Sequence, residues 1–443
     1  MKTLKDFILR QNTRFGGKLA NGSFAGNVLM MFIGTALGQM ASVILSPALT
    51  RIYTPDEFGV LGIYMTVVFL LSLIACLRYD IAIPLSKTED EAVNMIAVCF
   101  ASLIFFCMAI AAILLFIPAL PEFAVKTLGP LWDYRMMIPL GLFAIGSYQI
   151  GVAYATHKQS FKVLSKTKVY QGYSGPIVQI ILGLLGANIW GMIAGFVFGQ
   201  AAGVSILFRS LLHEPQKIFQ MISFKKMKSL MWKFRNFPLL SSVSVIISTL
   251  GSDSMLLIII PAFYNSTTIN GFIFLINRII GRPLYMISTS ILQVYLGDVS
   301  KKRDTDPEAM HKRFLTLVRF QFLIVFAWLF VINVSAKYVI PFAFGENWAG
   351  AVPYIHIFSI SYLFSLTLHP VSYTLQILEK QKQSAIFEIC RLIGSVCIFI
   401  YVYIYSVDII TALIIYCSFQ ALCSIISFIM MYNAIQQQRK KAA

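Results

Sequence analysis

Residues 102–116, SLIFFCMAIAAILLF, contain no charged side chain, and stretches of this kind recur along the whole chain. A helix of about 20 apolar residues matches the hydrocarbon thickness of a bilayer, so repeated runs of that length restrict the chain to a multi-span membrane protein. Twelve spans are predicted, at 25–49, 58–83, 92–117, 132–156, 164–186, 188–211, 236–260, 268–295, 312–334, 351–378, 384–405 and 409–432. Composition agrees: 58% of residues are hydrophobic and 12% are charged, about half the charge of a soluble domain. The connecting segments leave no room for a separate soluble domain.

The basic residues set the expected orientation. The segment 1–23 carries Lys2, Lys5, Arg10, Arg14 and Lys18, and the even-numbered loops continue the series through Lys158, Lys162, Lys166, Lys168 and on to Lys380 and Lys382. Odd-numbered loops hold only Arg51, Lys126, Arg135 and Lys337, beside acids such as Asp56, Glu57, Glu122 and Glu346. The positive-inside rule then places both termini in the cytoplasm, and the apolar run that follows residues 1–23 reads as a retained first span. Trp132, Trp190 and Trp348 are expected in the opposite aromatic belt. The net charge of +17 is spread over these loops rather than gathered in one patch, which argues against nucleic acid as a partner.

Two short pairs point to an internal duplication. LGPLW at 128–132 returns as FGENW at 344–348, and HKQSFKV at 157–163 resembles QKQSAIF at 381–387, pairing Gln159 and Ser160 with Gln383 and Ser384. The expected organisation is an all-α membrane fold of two six-span halves in a 6+6 parallel repeat. Its parts are a basic segment 1–23, a bundle 24–212, a linker 213–234, a bundle 235–434 and a basic tail 435–443. The linker reads as an amphipathic interfacial helix with Phe219, Ile222, Met227, Leu230, Met231 and Phe234 on one side.

Polar residues inside the spans are candidates for function, because a charge at mid-bilayer costs about 2.5–3.5 kcal/mol on insertion scales. Arg278, Arg282, Tyr285, Thr289 and Gln293 follow helical spacing, forming one stripe that would attract an anion through the planar arginine fork. Asp253 lies beside a serine face of the seventh span. Glu388 and Arg391 share a face of the eleventh, either as part of a polar cavity wall or as a pair satisfying each other. His369 precedes Pro370, where a helix kinks and backbone groups come free. Arg78 and Asp80 would pair or line the entrance, and GTALG at 34–38 reads as close helix packing. The seven cysteines lack metal-ligand spacing and read as small hydrophobes. The chain has no GxxxxGK[ST], HExxH, CxxC or GxSxG motif, so a non-enzymatic role with no cofactor is expected.

SPALTRIYTPDEFGVLGIY at 46–64, with Arg51, Pro55, Asp56, Glu57, Phe58 and Gly59, resembles the first outer hairpin of Wzx-type polysaccharide flippases. FGENWAGAVPYIHIFSISYLFSLTLHPVSYTLQILEKQKQ at 344–383 is similar to the tenth span and following loop of that family. The resemblance implies the multidrug/oligosaccharidyl-lipid/polysaccharide exporter fold, with two six-helix bundles around a central cavity. It also implies alternating-access movement of an undecaprenyl-diphosphate-linked oligosaccharide to the outer leaflet. Arg278, Arg282, Tyr285, Gln293, Asp253, Arg391, Arg51 and Arg78 would line the substrate cavity. Asp253, Glu388 and His369 would couple a proton or sodium counter-ion, and polysaccharide assembly proteins would be partners. Aligning Gly271 with Gly59 puts Phe263 opposite Arg51, a departure between the halves. A multidrug or metabolite antiporter of the same fold and a membrane glycan polymerase or ligase are the competing functions.

Overall fold

A computed structural model describes residues 24–116, 129–211, 220–235, 256–264, 266–302 and 306–442, with a few isolated positions between 237 and 249. The described residues are helical, with no strand among them. The first half of the chain supplies α1 (Phe24–Ile44), α2 (Ser46–Ile52), α3 (Pro55–Ala75), α4 (Glu89–Phe116), α5 (Met137–His157), α6 (Phe161–Leu184) and α7 (Asn188–Leu211). A short helix α8 (Phe224–Lys233) precedes the second half. That half contains α9 (Leu256–Tyr264), α10 (Thr267–Ile276), a π-helical segment Asn277–Gly281, α11 (Arg282–Lys302), α12 (Pro307–Phe344), α13 (Val352–Leu368), a single turn α14 (Thr374–Ile377), α15 (Gln381–Ile404) and α16 (Ile409–Ala442).

Nine described helical stretches are long and apolar enough to cross a membrane. The protein is therefore a multi-pass membrane protein. Two further stretches are as long but too polar to stand out: α6 carries Lys162, Lys166 and Lys168, and α10–α11 carries Arg278 and Arg282. The expected span 236–260 lies mostly outside the described residues. The helix around 312–334 is longer than expected, running from Pro307 to Phe344, because Asp306 caps it at one end and Gly345 stops it at the other.

Within the first half, glycines bring helices close. A β-carbon at Gly38 would sit 2.3 Å from the Lys168 carbonyl oxygen, and one at Gly172 only 2.1 Å from that of Gly38. The GTALG segment is thus a packing surface between α1 and α6. In the second half α12, α13 and α16 form the core contacts, with Gln321 donating to Ser288 Oγ at 2.6 Å and Ser288 Oγ donating to the Leu366 carbonyl at 3.2 Å.

The halves meet at one end, here called the hairpin end because it holds the turn between α2 and α3. Thr54 caps α3 with a reciprocal capping box to Glu57, and Ser266 caps α10 at the matching place in the second half. From these caps α3 and α10 cross at Gly59 and Gly271. A β-carbon at Gly59 would lie 2.0 Å from the Thr267 carbonyl oxygen, and one at Gly271 would lie 1.8 Å from that of Pro55. Asp56 accepts hydrogen bonds from the hydroxyls of Thr267 and Thr268 at 2.5 and 2.8 Å.

Trp348 completes this joint. It is fully buried, donates from Nε1 to the Thr50 carbonyl at 3.0 Å, and meets the Phe58 and Phe272 rings at 4.8 and 6.0 Å. The expectation of an aromatic belt is corrected for this residue: the apolar slot between the halves, with one free carbonyl, suits an indole better than lipid headgroups do.

The opposite, lysine-rich end is organised by ion pairs within the first half. Lys158 reaches Glu89 at 2.5 Å, Lys226 reaches Asp90 at 2.8 Å, and Lys233 reaches Glu91 at 3.2 Å. The last two dock α8 on the start of α4. That helix is shorter than the expected 213–234 segment, and Phe219 lies outside the described residues. Leu230, Met227 and Phe234 pack inward, whereas Met231 is 41% exposed and lies off the apolar side assigned to it.

Two turns, one in each half, share one backbone pattern. After α5, the backbone bonds Lys158 N–H to Tyr154 O, Gln159 to Thr156 and Ser160 to Ala155. After α14, Leu378 bonds to Thr374, Glu379 to Gln376 and Lys380 to Leu375, with Gln159 and Glu379 both at positive φ (53° and 58°). Gln159 therefore corresponds to Glu379. The pairing of Gln159 and Ser160 with Gln383 and Ser384 is one helical turn out, because short polar motifs align by composition whereas a left-handed residue fixes the turn.

Candidate functional site

Below the hairpin-end joint the halves separate around a cavity of about 770 Å³. Met65 and Phe69 of α3 are on its wall, about 15–20 Å along the helix from Pro55. From the first half come also Tyr148, Gln149, Lys168, Phe196 and Gln200; from the second come Asn277, Arg282, Tyr285, Tyr362, His369, Arg391 and Gln420. Three lysine or arginine side chains line this cavity, and no carboxylate does among the described lining residues. A smaller cavity of about 280 Å³ opens beside it, sharing Lys168, Gln200 and Arg282 and adding Arg278.

The cations are placed by local helix chemistry. At Asn277–Gly281 the helix widens, and the Arg282 backbone N–H bonds to the Asn277 carbonyl, five residues back. Such a segment inserts extra backbone per turn and rotates the helix after it relative to the helix before it. The single α-helical stripe expected through Arg278, Arg282 and Tyr285 is corrected by this feature. Arg278 turns toward α1, where Nε and Nη2 both donate to the Ser42 carbonyl at 3.3 and 3.2 Å. Arg282 instead lies over the Phe274 ring at 5.9 Å, facing the cavity. Tyr362 donates to the Asn277 side chain at 2.6 Å, which ties the widened segment to α13.

Around Arg282, Tyr285 meets the His369 ring edge to face at 4.5 Å. His369 opens the turn that breaks α13 from α14, as Pro370 dictates. Its Nδ1 is buried with no hydrogen bond. Arg391 lines the far wall and pairs with Glu388 at 2.7 Å, as their i, i+3 spacing leads one to expect. From the first half, Lys168 lies 5.0 Å above the Tyr148 ring, whose hydroxyl contacts Thr167 Oγ1 at 3.1 Å.

Arg282, Tyr285, His369 and Arg391 are thus brought together in the large cavity, and Arg278 borders the small one. Arg51 and Arg78 line neither. Arg51 is exposed at the hairpin end and donates to the Phe342 carbonyl at 3.1 Å, which fastens α2 to the end of α12. Arg78 sits at φ 58° in the turn after α3, where burial raises the nearby Asp80 carboxyl above its usual range and the Arg78 charge opposes that shift. Asp253 and the Gln293 side chain lie outside the described residues. Sequence reasoning missed Lys168 as a lining residue because it was counted with its neighbours as a loop charge. Its position inside the expected span 164–186 was the available signal.

A family model described as polysaccharide biosynthesis protein matches residues 48–353. The chain belongs to this family. An uncharacterized membrane protein in the cps region of Klebsiella pneumoniae is 25% identical over 366 residues, covering 81% of this chain and 71% of that one. Among solved structures, the fold is shared with an inward-facing multidrug resistance MATE family transporter of the MOP superfamily at a TM-score of 0.64, with 15% identity over 94% of this chain and 96% of that one. It is shared also with a Pyrococcus furiosus MOP superfamily transporter described by a binding pocket of reversed polarity, at a TM-score of 0.60 and 15% identity over 93% and 96%. The resemblance to Wzx-type proteins of this superfamily, read from residues 46–64 and 344–383, is borne out. This is a polysaccharide-related membrane protein built on a transporter fold.

Proposed function

We propose that the protein is a flippase for undecaprenyl-diphosphate-linked oligosaccharide repeat units. The observation that carries this reading is the cavity between the halves, lined by Lys168, Arg282 and Arg391 with no described carboxylate on its wall. A diphosphate offers acceptor oxygens that guanidinium and ammonium groups bind strongly, bidentately in the case of arginine. Tyrosine and glutamine beside them suit the hydroxyls of a glycan. Glu388 is already paired with Arg391, so among the described lining residues a lipophilic cation would find cations rather than a free counter-charge, which weighs against a multidrug antiporter.

In this reading twelve spans form two six-helix bundles related as a 6+6 repeat, and the lysine-rich end is cytoplasmic. Contacts at the hairpin end then correspond to a state closed to the outside. Transport would proceed by parting Gly59 from Gly271 while the lysine-rich ends approach. Glu388, Asp253 and His369 remain the candidates for coupling to a proton or sodium ion. Depletion of the protein, followed by an impermeant sugar-modifying enzyme on each membrane face, tests the assignment. Single lipid-linked units should accumulate on the cytoplasmic face. Accumulation outside would indicate a polymerase or ligase, and no accumulation an antiporter of small molecules.

A further inference from the structure

The smaller cavity has a chemistry of its own. Lys168, Arg282 and Gln200 are on the side it shares with the large cavity, while Gln39 of α1 and Gln171 of α6 line only the smaller one. Gln171 Nε2 donates to Gln200 Oε1 at 2.9 Å. In either orientation of the two amides, that bond leaves an acceptor and further N–H donors unused on two residues that line the pocket. Gln179, the fourth glutamine on the wall, is committed to the fold, because its amide donates to the Met192 carbonyl at 2.8 Å. Arg278 is also committed, to Ser42. Leu61, Met65, Phe196 and Phe274 give the pocket apolar walls.

A wall of primary amides is poorly matched to an anion, which has no use for an acceptor and is repelled by amide oxygens. It is well matched to a ring of hydroxyls, each of which both donates and accepts. Apolar walls complete the fit, since a sugar ring presents C–H faces between its hydroxyls. The cations at the shared side mark where a phosphate joined to such a ring would stay. We infer that this pocket holds the sugar attached to the diphosphate, with Gln171 and Gln39 bonding its hydroxyls while the phosphates remain between Lys168 and Arg282. The inference rests on the flippase reading and adds to it a subsite that distinguishes a glycosylated carrier lipid from a bare one.

The test uses purified full-length protein in nanodiscs. Its probes are bare undecaprenyl diphosphate and the same lipid bearing one hexose, one N-acetylhexosamine or one deoxyhexose. Wild type should bind at least one glycosylated lipid about tenfold more tightly than the bare lipid, the gain expected from one or two hydrogen bonds. Gln171→Leu should lower the affinity for that lipid until the preference is about twofold or less. Gln39→Leu, on a different helix, should do the same, so that a folding defect in one variant does not decide the matter. Bare-lipid affinity of each variant reports that the fold is intact. A wild type that binds bare lipid with no preference among the four overturns the inference, as does a preference that survives both substitutions. Failure of wild type to bind any of the four lipids would instead overturn the flippase reading beneath it.

Discussion

Helices α3 and α10–α11 begin alike and end as different devices. Each starts at a hydroxyl cap, Thr54 or Ser266, and each places a glycine five positions after the cap, Gly59 or Gly271, at the crossing with the other. Beyond the crossing they diverge. Helix α3 continues as regular helix through Met65, Thr66 and Phe69 to Ala75, whereas its counterpart widens at Asn277–Gly281 and carries Arg278 and Arg282. The shared part makes the joint between the halves, and the divergent part makes the site. The two matched crossings make the joint, and a local departure from helical geometry on one side places the charge beside it.

The largest effect should come from disturbing the shared part. Gly271→Leu would drive a side chain into the Pro55 carbonyl, where even a β-carbon lies 1.8 Å away. Neither atom belongs to a flexible group, so the helices must part. Overpacking of this kind costs about 1–3 kcal/mol or more. Transport should be lost, and spin labels near the hairpin end should report a longer distance between the halves. Gly59→Leu should match it, because the two glycines meet reciprocal carbonyls. Unequal effects would break the symmetry of the joint.

Next come the two arginines, which the sequence presents as equivalent and the structure separates. Arg282→Gln removes the cation that faces the cavity, and transport should fall about 100-fold, the value of two charge-assisted hydrogen bonds. Arg282→Lys should recover only part, since an ammonium cannot fork. Arg278→Met keeps the length and bulk but releases the Ser42 carbonyl. Its expected effect is about tenfold on the balance between closed and open hairpin ends, measured as a change in spin-label distance populations, with binding of undecaprenyl diphosphate retained. Equal loss of lipid binding in both variants, with distances unchanged, would return the two arginines to a single phosphate site.

How much of this was legible beforehand depends on the range of the interaction. Span positions rest on local hydropathy, and the equivalence of Gly59 and Gly271 rests on a motif, so both could be read from the chain. The clustering of Arg282, Tyr285, His369 and Arg391 was legible only as separate polar stripes, since nothing local says which face of a helix meets a cavity. The role of Arg278 was hidden because one widened turn rotates it away from the stripe that regular spacing implies. Trp348 and Arg51 were misplaced because both face the other half of the chain: a lipid-boundary pattern does not distinguish a bilayer surface from a packed joint, and a hairpin motif does not say whether its arginine meets a cavity or a carbonyl.

The smallest effect tests the duplication itself. The turn after α6 has Gly186 at φ 79°, and the turn after α15 has Ser406 at φ 47°, with Leu185 and Tyr405 bonding back to Ile181 and Tyr401 in the same pattern. A left-handed residue with a side chain costs about 1 kcal/mol relative to glycine there. Part of that difference is offset by the greater freedom of glycine in the unfolded chain. If the two turns are the same structure, Ser406→Gly should stabilise and Gly186→Ser should destabilise by similar amounts, each below about 1 kcal/mol, read as opposite shifts in thermal unfolding midpoint in one detergent. The double exchange should then leave the midpoint near wild type, because the two turns lie in different halves and share no partner among the bonds that close them. Shifts of the same sign would mean that the two turns differ in their surroundings despite their matching backbone. The repeat would then hold for the chain path but not for the packing around it, and the divergence that begins in α10–α11 would extend through the rest of the second half.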